Sequence, residues 1–336
     1  MSDLVSRGQF SVSRGRCYNR VMIPPEEARV RTGGGEVHLD IYHHEGCRAL
    51  LYLHPAGCYA GMFQEQLKRL TEAGFTVVAM DLPGHGRSGR KGDFTLLGAA
   101  QAVLSIGEWI TGELGLRPGL WGSSLGGVIG SYVLVLDDER IFPAAVLHSP
   151  AATPEEVRGY SRFPRLFAEL LKPYRWLEDH LIESLPADMR GYLSPLNPGR
   201  WKLPIPLFFN PSAGRTEISL ERIGWAFAWV RHPLKTSCYT LRTFASLIDT
   251  ALPGGLETIE VPVLVLLPEE DRIAPHEFIM ELAAKLPHGE IAHLPGGHNI
   301  FGTEEGTAQV ITLVVEFFGR TLRQVSVERR GLRGSP

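Results

Sequence analysis

Short, nearly continuous apolar runs, each followed by a helical pattern, constrain this chain more than any other feature. "ALLYL" (49–53), "FTVVAM" (75–80), "AAVLHSP" (144–150) and "VPVLVLL" (261–267) are each too short for a buried helix. They are the length and composition expected of parallel strands covered on both faces. Helical patterns follow around 62–73, 95–113 and 276–286, with a last one around 303–322 after the strand "EIAHL" (290–294). "LGGVIGSYVLVL" reads as a glycine-rich apolar helix able to lie close to a sheet. "EVHLDIY" alternates Val37, Leu39 and Ile41 with polar residues and predicts a half-exposed strand. Strands alternating with helices imply an α/β protein with a mostly parallel, doubly wound sheet.

The rhythm stops between about 152 and 258. Nine prolines from Pro164 to Pro233 break that stretch into helix fragments, and it holds nearly half of the chain's aromatic residues. No strong strand is expected there. "TPEE" opens one helix, with Thr153 and Glu156 as a capping box and Pro154 at the first helical position. The domain reading is a core formed by 1–151 and 259–322, a helical cap over 152–258, and a disordered tail over 323–336. At 336 residues, a core plus an insertion is the expected organisation.

Composition narrows the class of partner. A net charge of -3 gives no reason to propose nucleic acid or an anionic membrane. No run of 18 apolar residues predicts a spanning helix, and the first residues lack the apolar core of a secretory signal. Cys17, Cys47, Cys58 and Cys238 are scattered, without C-x-x-C spacing, as expected of reduced thiols in a cytoplasmic protein. No metal or cofactor is implied, because no dense Cys/His/Asp ligand pattern occurs.

Ser124 lies at the centre of Gly122-Ser-Ser-Leu-Gly126, after a predicted strand and before a predicted helix. That context suits a nucleophile elbow, with the Leu125 N–H aimed at an oxyanion. A glycine-rich turn carrying an inert serine has the same local pattern, and Ser123 reads as a structural neighbour. A serine hydroxyl needs a base. His298, in "LPGGHNIF", follows the last predicted strand on a Gly-Gly loop, whereas His38, His43 and His44 come too early. His148 ends a strand and is a weaker candidate. Asp271, in "LLPEEDRIAP", follows "VPVLVLL" and would orient the histidine, with Glu269 and Glu270 beside it as substitutes.

The chain order Ser124, Asp271, His298, each on its own strand end, resembles the α/β-hydrolases. The likeness covers roughly 36–150 and 259–320 and includes "LHPAG" and "DLPGHGRSG" (81–89). It is similar above all to lid-bearing serine hydrolases: monoacylglycerol lipases, lysophospholipase-like esterases and serine aminopeptidases. The resemblance implies an ester-cleaving acyl-enzyme route on a small-molecule substrate, with the insertion as a lid after the sixth strand. Amide or peptide cleavage, lactone opening and carbon–carbon hydrolysis use the same three residues, and a non-catalytic ligand-binding relative is the alternative of another class. Two positions depart from the pattern. His54-Pro55 stands where His-Gly is usual, and proline has no N–H, so the second oxyanion donor falls to Ala56. Pro268 stands where glycine is usual, which keeps Glu270 open as the acid. Cys58 reads as a packing thiol and His85 as structural. In the insertion, Trp225 and Trp229 share a helix face distinct from that of Ile223, Phe227 and Val230. That second face is expected to roof an acyl pocket, with Trp201, Phe208 and Phe209 nearby in sequence.

Overall fold

The computed structural model describes residues 24–150, 201–205, 232–250, 255–271, 276–298 and 303–322, with Pro173, Ala274 and Phe301 besides. Its frame is an eight-stranded sheet ordered β1-β2-β4-β3-β5-β6-β9-β10. The strands are β1 (Glu26–Thr32), β2 (Gly35–Tyr42), β3 (Ala49–Leu53), β4 (Thr76–Met80), β5 (Pro118–Ser123), β6 (Ala145–His148), β9 (Val263–Pro268) and β10 (Gly289–Leu294). The β1–β2 and β2–β4 pairings are antiparallel; along the sheet from β4 to β10 every pairing is parallel. Because β6 pairs directly with β9, residues 149–262 are an insertion between adjacent strands. Two short strands in that stretch, β7 (Lys202–Pro204) and β8 (Cys238–Thr240), pair antiparallel. Among the described residues, no helix is long and apolar enough to cross a membrane.

The apolar runs behave as central strands should. All five residues of β3 and all five of β4 are buried, with Leu51 and Leu53 packing on one face and Leu50 and Tyr52 on the other. Helices α2 (Leu96–Leu114), α3 (Leu125–Leu136) and α5 (His276–Ala284) fill the first face. Helices α1 (Gln64–Glu72) and α6 (Glu304–Thr321) fill the second. Start signals are local: Thr95 accepts from the Gly98 N–H to cap α2, and Thr303 from the Gly306 N–H to cap α6. Helix α4 (Leu241–Asp249), inside the insertion, is capped by Thr240.

The structure departs from the sequence pattern at the first two strands. Strand β2 is not half-exposed, because Val37 to Tyr42 are all buried. The loop after β4 covers its polar face: Ser88 accepts from the His38 N–H and Arg87 reaches Asp40. Strand β1 was not anticipated; its alternation of Ala28 and Val30 with charged residues is that of an edge strand with one face on the core. The tail at 323–336 lies outside the described residues.

The β5–α3 turn fixes the height of the site above the sheet. A Cβ on Gly126 would lie 2.3 Å from the Leu53 carbonyl oxygen, and one on Gly122 would lie 2.2 Å from that of Gly126. Backbone meets backbone at both places, so only glycine lets α3 start this close to β3. We predict that Gly126→Ala lowers the unfolding free energy by at least about 1–3 kcal/mol. Exposed Gly112, whose Cβ would meet nothing within 4 Å inside α2, should gain about 0.5–1 kcal/mol as Ala. Urea denaturation of the two variants checks the opposite signs.

Candidate active site

Ser124 occupies the turn between β5 and α3 with φ 52° and ψ -115°, a left-handed conformation that costs a non-glycine residue energy. The surrounding backbone holds it there: its N–H donates to the His148 carbonyl at 2.8 Å, and its own carbonyl accepts from Gly127 and Val128. The strained turn lifts the side chain off the sheet toward the loops beyond β9 and β10. There His298 Nε2 lies 3.0 Å from Ser124 Oγ, and His298 Nδ1 lies 2.8 Å from Asp271 Oδ2. The three residues expected from sequence therefore form one continuous hydrogen-bonded chain. Glu269 and Glu270 are exposed, and the Glu270 N–H is turned back onto the Gly296 carbonyl.

The Asp271 side chain is almost fully buried, 1% exposed. Burial alone would raise its pKa, but hydrogen bonds from His298, Ser149 and the Ala274 N–H outweigh it and hold the carboxyl below the usual range. It is thus an anion at neutral pH. A buried anion against Nδ1 fixes the Nδ1–H tautomer and leaves Nε2 as the acceptor facing Ser124. Ser149 was not singled out from sequence. It sits in the residue after β6 at φ 46° and donates to Asp271 Oδ2. Its only sequence signal is a polar residue at the carboxyl end of a central strand.

The two oxyanion candidates follow adjacent strands, Leu125 after β5 and Ala56 after β3. Leu125 is the first residue of α3, so its N–H has no intrahelical acceptor and points out at the positive end of the helix. On the opposite loop, after β3, the Cys58 N–H donates to the Pro55 carbonyl and the Gly57 N–H to the Tyr239 hydroxyl. Among the described residues the Ala56 N–H meets no acceptor, and Pro55 has no N–H to offer. Cys58 is buried, and burial pushes its thiol up to about 12, as suits a packing side chain.

Three further histidines near the site are uncharged. Burial lowers His54 to about 4; burial, with His54 close by, lowers His85 to about 3; burial, with His298 close by, lowers His148 to about 3. His54 donates through Nδ1–H to the Pro55 carbonyl at 2.8 Å and accepts at Nε2 from the Leu82 N–H at 3.0 Å. His148 approaches Ser123 Oγ at 3.4 Å rather than Ser124. Asp81 anchors the turn of "DLPGHGRSG", accepting from the Ala60 N–H at 2.7 Å and the Arg87 N–H at 2.9 Å. Among the described residues, Glu27, His38 and Asp40 form one cluster with metal-ligand spacing. Arg87 Nη1 lies 2.6 Å from His38 Nε2 and 3.3 Å from both Asp40 Oδ1 and Glu27 Oε1, so a guanidinium already compensates that cluster. Trp225 and Trp229, with Phe208, Phe209 and Phe227, lie outside the described residues; Trp201 is described and is 60% exposed.

Comparison with known proteins agrees with this fold. Residues 50–311 match the alpha/beta hydrolase family. The AB hydrolase superfamily protein YisY of Bacillus subtilis is 26% identical over 280 residues, covering 80% of this chain and 91% of that protein. The fold is similar to that of a monoacylglycerol lipase from Paleococcus ferrophilus, with a TM-score of 0.62 at 23% identity, covering 85% of this chain and 99% of the other. It is also similar to a thermostable carboxyl esterase from Bacillus coagulans, with a TM-score of 0.67 at 14% identity, covering 90% of this chain and all (100%) of the other. With the family match extending from β3 into α6, this chain belongs to the alpha/beta hydrolase family.

Proposed function

We propose that this protein is a serine hydrolase that cleaves a carboxylic ester with an apolar acyl group through an acyl-enzyme intermediate. The observation that carries the reading is the hydrogen-bond chain from Ser124 Oγ through His298 to Asp271, at 3.0 and 2.8 Å. In this reading Ser124 Oγ bonds to the ester carbonyl carbon as His298 Nε2 takes the hydroxyl proton. The carbonyl oxygen becomes an anion held by the Ala56 and Leu125 N–H groups. Collapse of this adduct breaks the bond to the alcohol oxygen, which leaves with the proton from Nε2. Water then repeats the sequence on the acyl-enzyme, releasing the acid and restoring Ser124. Asp271 stays ionised throughout and stabilises the imidazolium.

Ester cleavage is favoured over amide, lactone or carbon–carbon cleavage by the two similar structures named for lipase and esterase activity. The complete set of three residues favours turnover over a binding role alone. The insertion between β6 and β9 is read as the cap that holds the substrate, with Trp225 and Trp229 roofing the acyl chain.

Ser124→Ala is expected to reduce hydrolysis of p-nitrophenyl butyrate by several orders of magnitude, while Ser123→Ala stays within a few-fold of the parent. Asp271→Asn should keep the fold and lower kcat by up to about 10⁴, because the amide favours the wrong histidine tautomer. Glu270→Gln should change kcat little; the reverse ranking would transfer the acid to Glu270. Acyl-chain length tests the pocket. Each added methylene is worth about 0.8 kcal/mol, so kcat/KM should rise roughly 3- to 4-fold per carbon until the pocket fills. Trp225→Ala or Trp229→Ala should flatten that rise and spare acetate esters. Fastest turnover on acetate esters or aminoacyl arylamides would contradict an apolar pocket.

A further inference from the structure

The loop that carries Ala56 is held by a part of the chain far away in sequence. Strand β8 and the residues before it return from the insertion and lie along the loops after β3 and after β4. The Thr236 N–H donates to the Gly57 carbonyl at 3.0 Å, and the Gly57 N–H donates to the Tyr239 hydroxyl at 3.2 Å. That hydroxyl donates onward to His85 Nε2 at 2.8 Å, while His85 Nδ1–H donates to the Pro83 carbonyl at 3.0 Å. Neighbouring bonds fasten the same arm to the second loop, from the Thr240 N–H to the Gly92 carbonyl at 2.8 Å and from Thr236 Oγ1 to the Gly84 carbonyl at 3.3 Å.

Three consecutive peptide planes of this loop are held, two of them by the returning arm. The Pro55–Ala56 plane is fixed through the Pro55 carbonyl, which accepts from His54 and the Cys58 N–H. The Ala56–Gly57 plane is fixed through the Gly57 N–H and the Gly57–Cys58 plane through the Gly57 carbonyl, both by the returning arm. Each plane that is held leaves less freedom to the one before it, and the Ala56 N–H is the single donor of the three without an acceptor among the described residues. Gly57 itself takes φ 73°, a conformation that its neighbours must maintain. Tyr239 and His85 are both fully buried, with rings edge-to-face at 5.4 Å, so water does not substitute for the hydroxyl.

We propose that Tyr239 is a positioning residue for the oxyanion site: its hydroxyl, oriented by His85, sets the Ala56–Gly57 peptide and so aims the Ala56 N–H at the developing charge. This inference rests on the serine-hydrolase reading above. It links the end of the insertion to the rate of the chemical step as well as to substrate binding. Donors of an oxyanion site act on the transition state more than on the bound ester, so their misalignment lowers kcat and leaves KM nearly unchanged.

The test compares Tyr239→Phe with Tyr132→Phe, which removes another buried hydroxyl, one that donates to the Thr250 carbonyl away from the loop. Both are assayed on p-nitrophenyl butyrate and with butaneboronic acid, whose serine adduct places an oxygen in the oxyanion site. Tyr239→Phe should lower kcat about tenfold with KM within twofold, and weaken the boronic acid by a similar factor; loss of a whole donor costs about 10²–10³. Tyr132→Phe should leave all three values within twofold. Should Tyr239→Phe not fold, His85→Asn carries the same readouts. It keeps a donor in place of Nδ1–H and deletes the Nε2 acceptor, and about a threefold fall in kcat and in boronic acid affinity is expected. Ser124→Ala separates the two claims. If it retains turnover, the reading of the site is overturned and the clamp with it. If it is inactive while Tyr239→Phe (or its substitute) keeps the parent kcat and boronic acid affinity, or while Tyr132→Phe falls equally, the clamp alone is overturned.

Discussion

The geometry at the carboxyl end of the sheet depends on how closely α3 approaches β3 and β5. With any side chain at Gly122 or Gly126, backbone atoms would be driven to 2.2–2.3 Å from a Cβ, and the helix would have to ride farther out. Ser124 would then leave the position at which Oγ meets His298 Nε2 at 3.0 Å. The same approach sets where the first N–H of α3 lies relative to Ser124. One steric constraint therefore sets the nucleophile candidate and one candidate oxyanion donor together. The energetic cost of the left-handed Ser124 is offset by the bonds on either side of it, through the His148 carbonyl and the first turn of α3.

Charge around that turn is economical. Asp271 is a buried anion at the site, and donors from different elements compensate it, among them His298, Ser149 and the Ala274 N–H. The remaining histidines at the site are buried and neutral, and they serve as hydrogen-bonding struts with defined tautomers. A neutral His148 beside His298 adds no positive charge to oppose formation of the imidazolium. Arg87 sits apart, where it neutralises Asp40 and ties the loop after β4 to β2.

Most of the frame was legible because it is written in local patterns. Fully buried strands such as β3 and β4 are continuous apolar runs, and α3 coincides with the glycine-rich stretch from Leu125 to Leu136. Ser124, Asp271 and His298 were legible because each lies within four residues of the carboxyl end of a strand. What escaped the sequence depends on long-range contact. Alternation in β2 signals one wet face, yet Arg87 and Ser88 from another loop cover that face. Ser149 looks like any turn serine until Asp271, 122 residues away, is folded against it. Tyr239 meets Gly57 across 182 residues, in a segment whose prolines and aromatics carry no clear period.

The proposed route requires that Ser124 be acylated during turnover. Mass spectrometry of the protein quenched during steady-state hydrolysis of p-nitrophenyl butyrate, followed by peptide mapping, reads this directly. A butyryl increment is expected on the peptide holding Ser124, lost in Ser124→Ala and retained in Ser123→Ala. A butyryl group mapped to Ser123, Cys58 or another residue would contradict it.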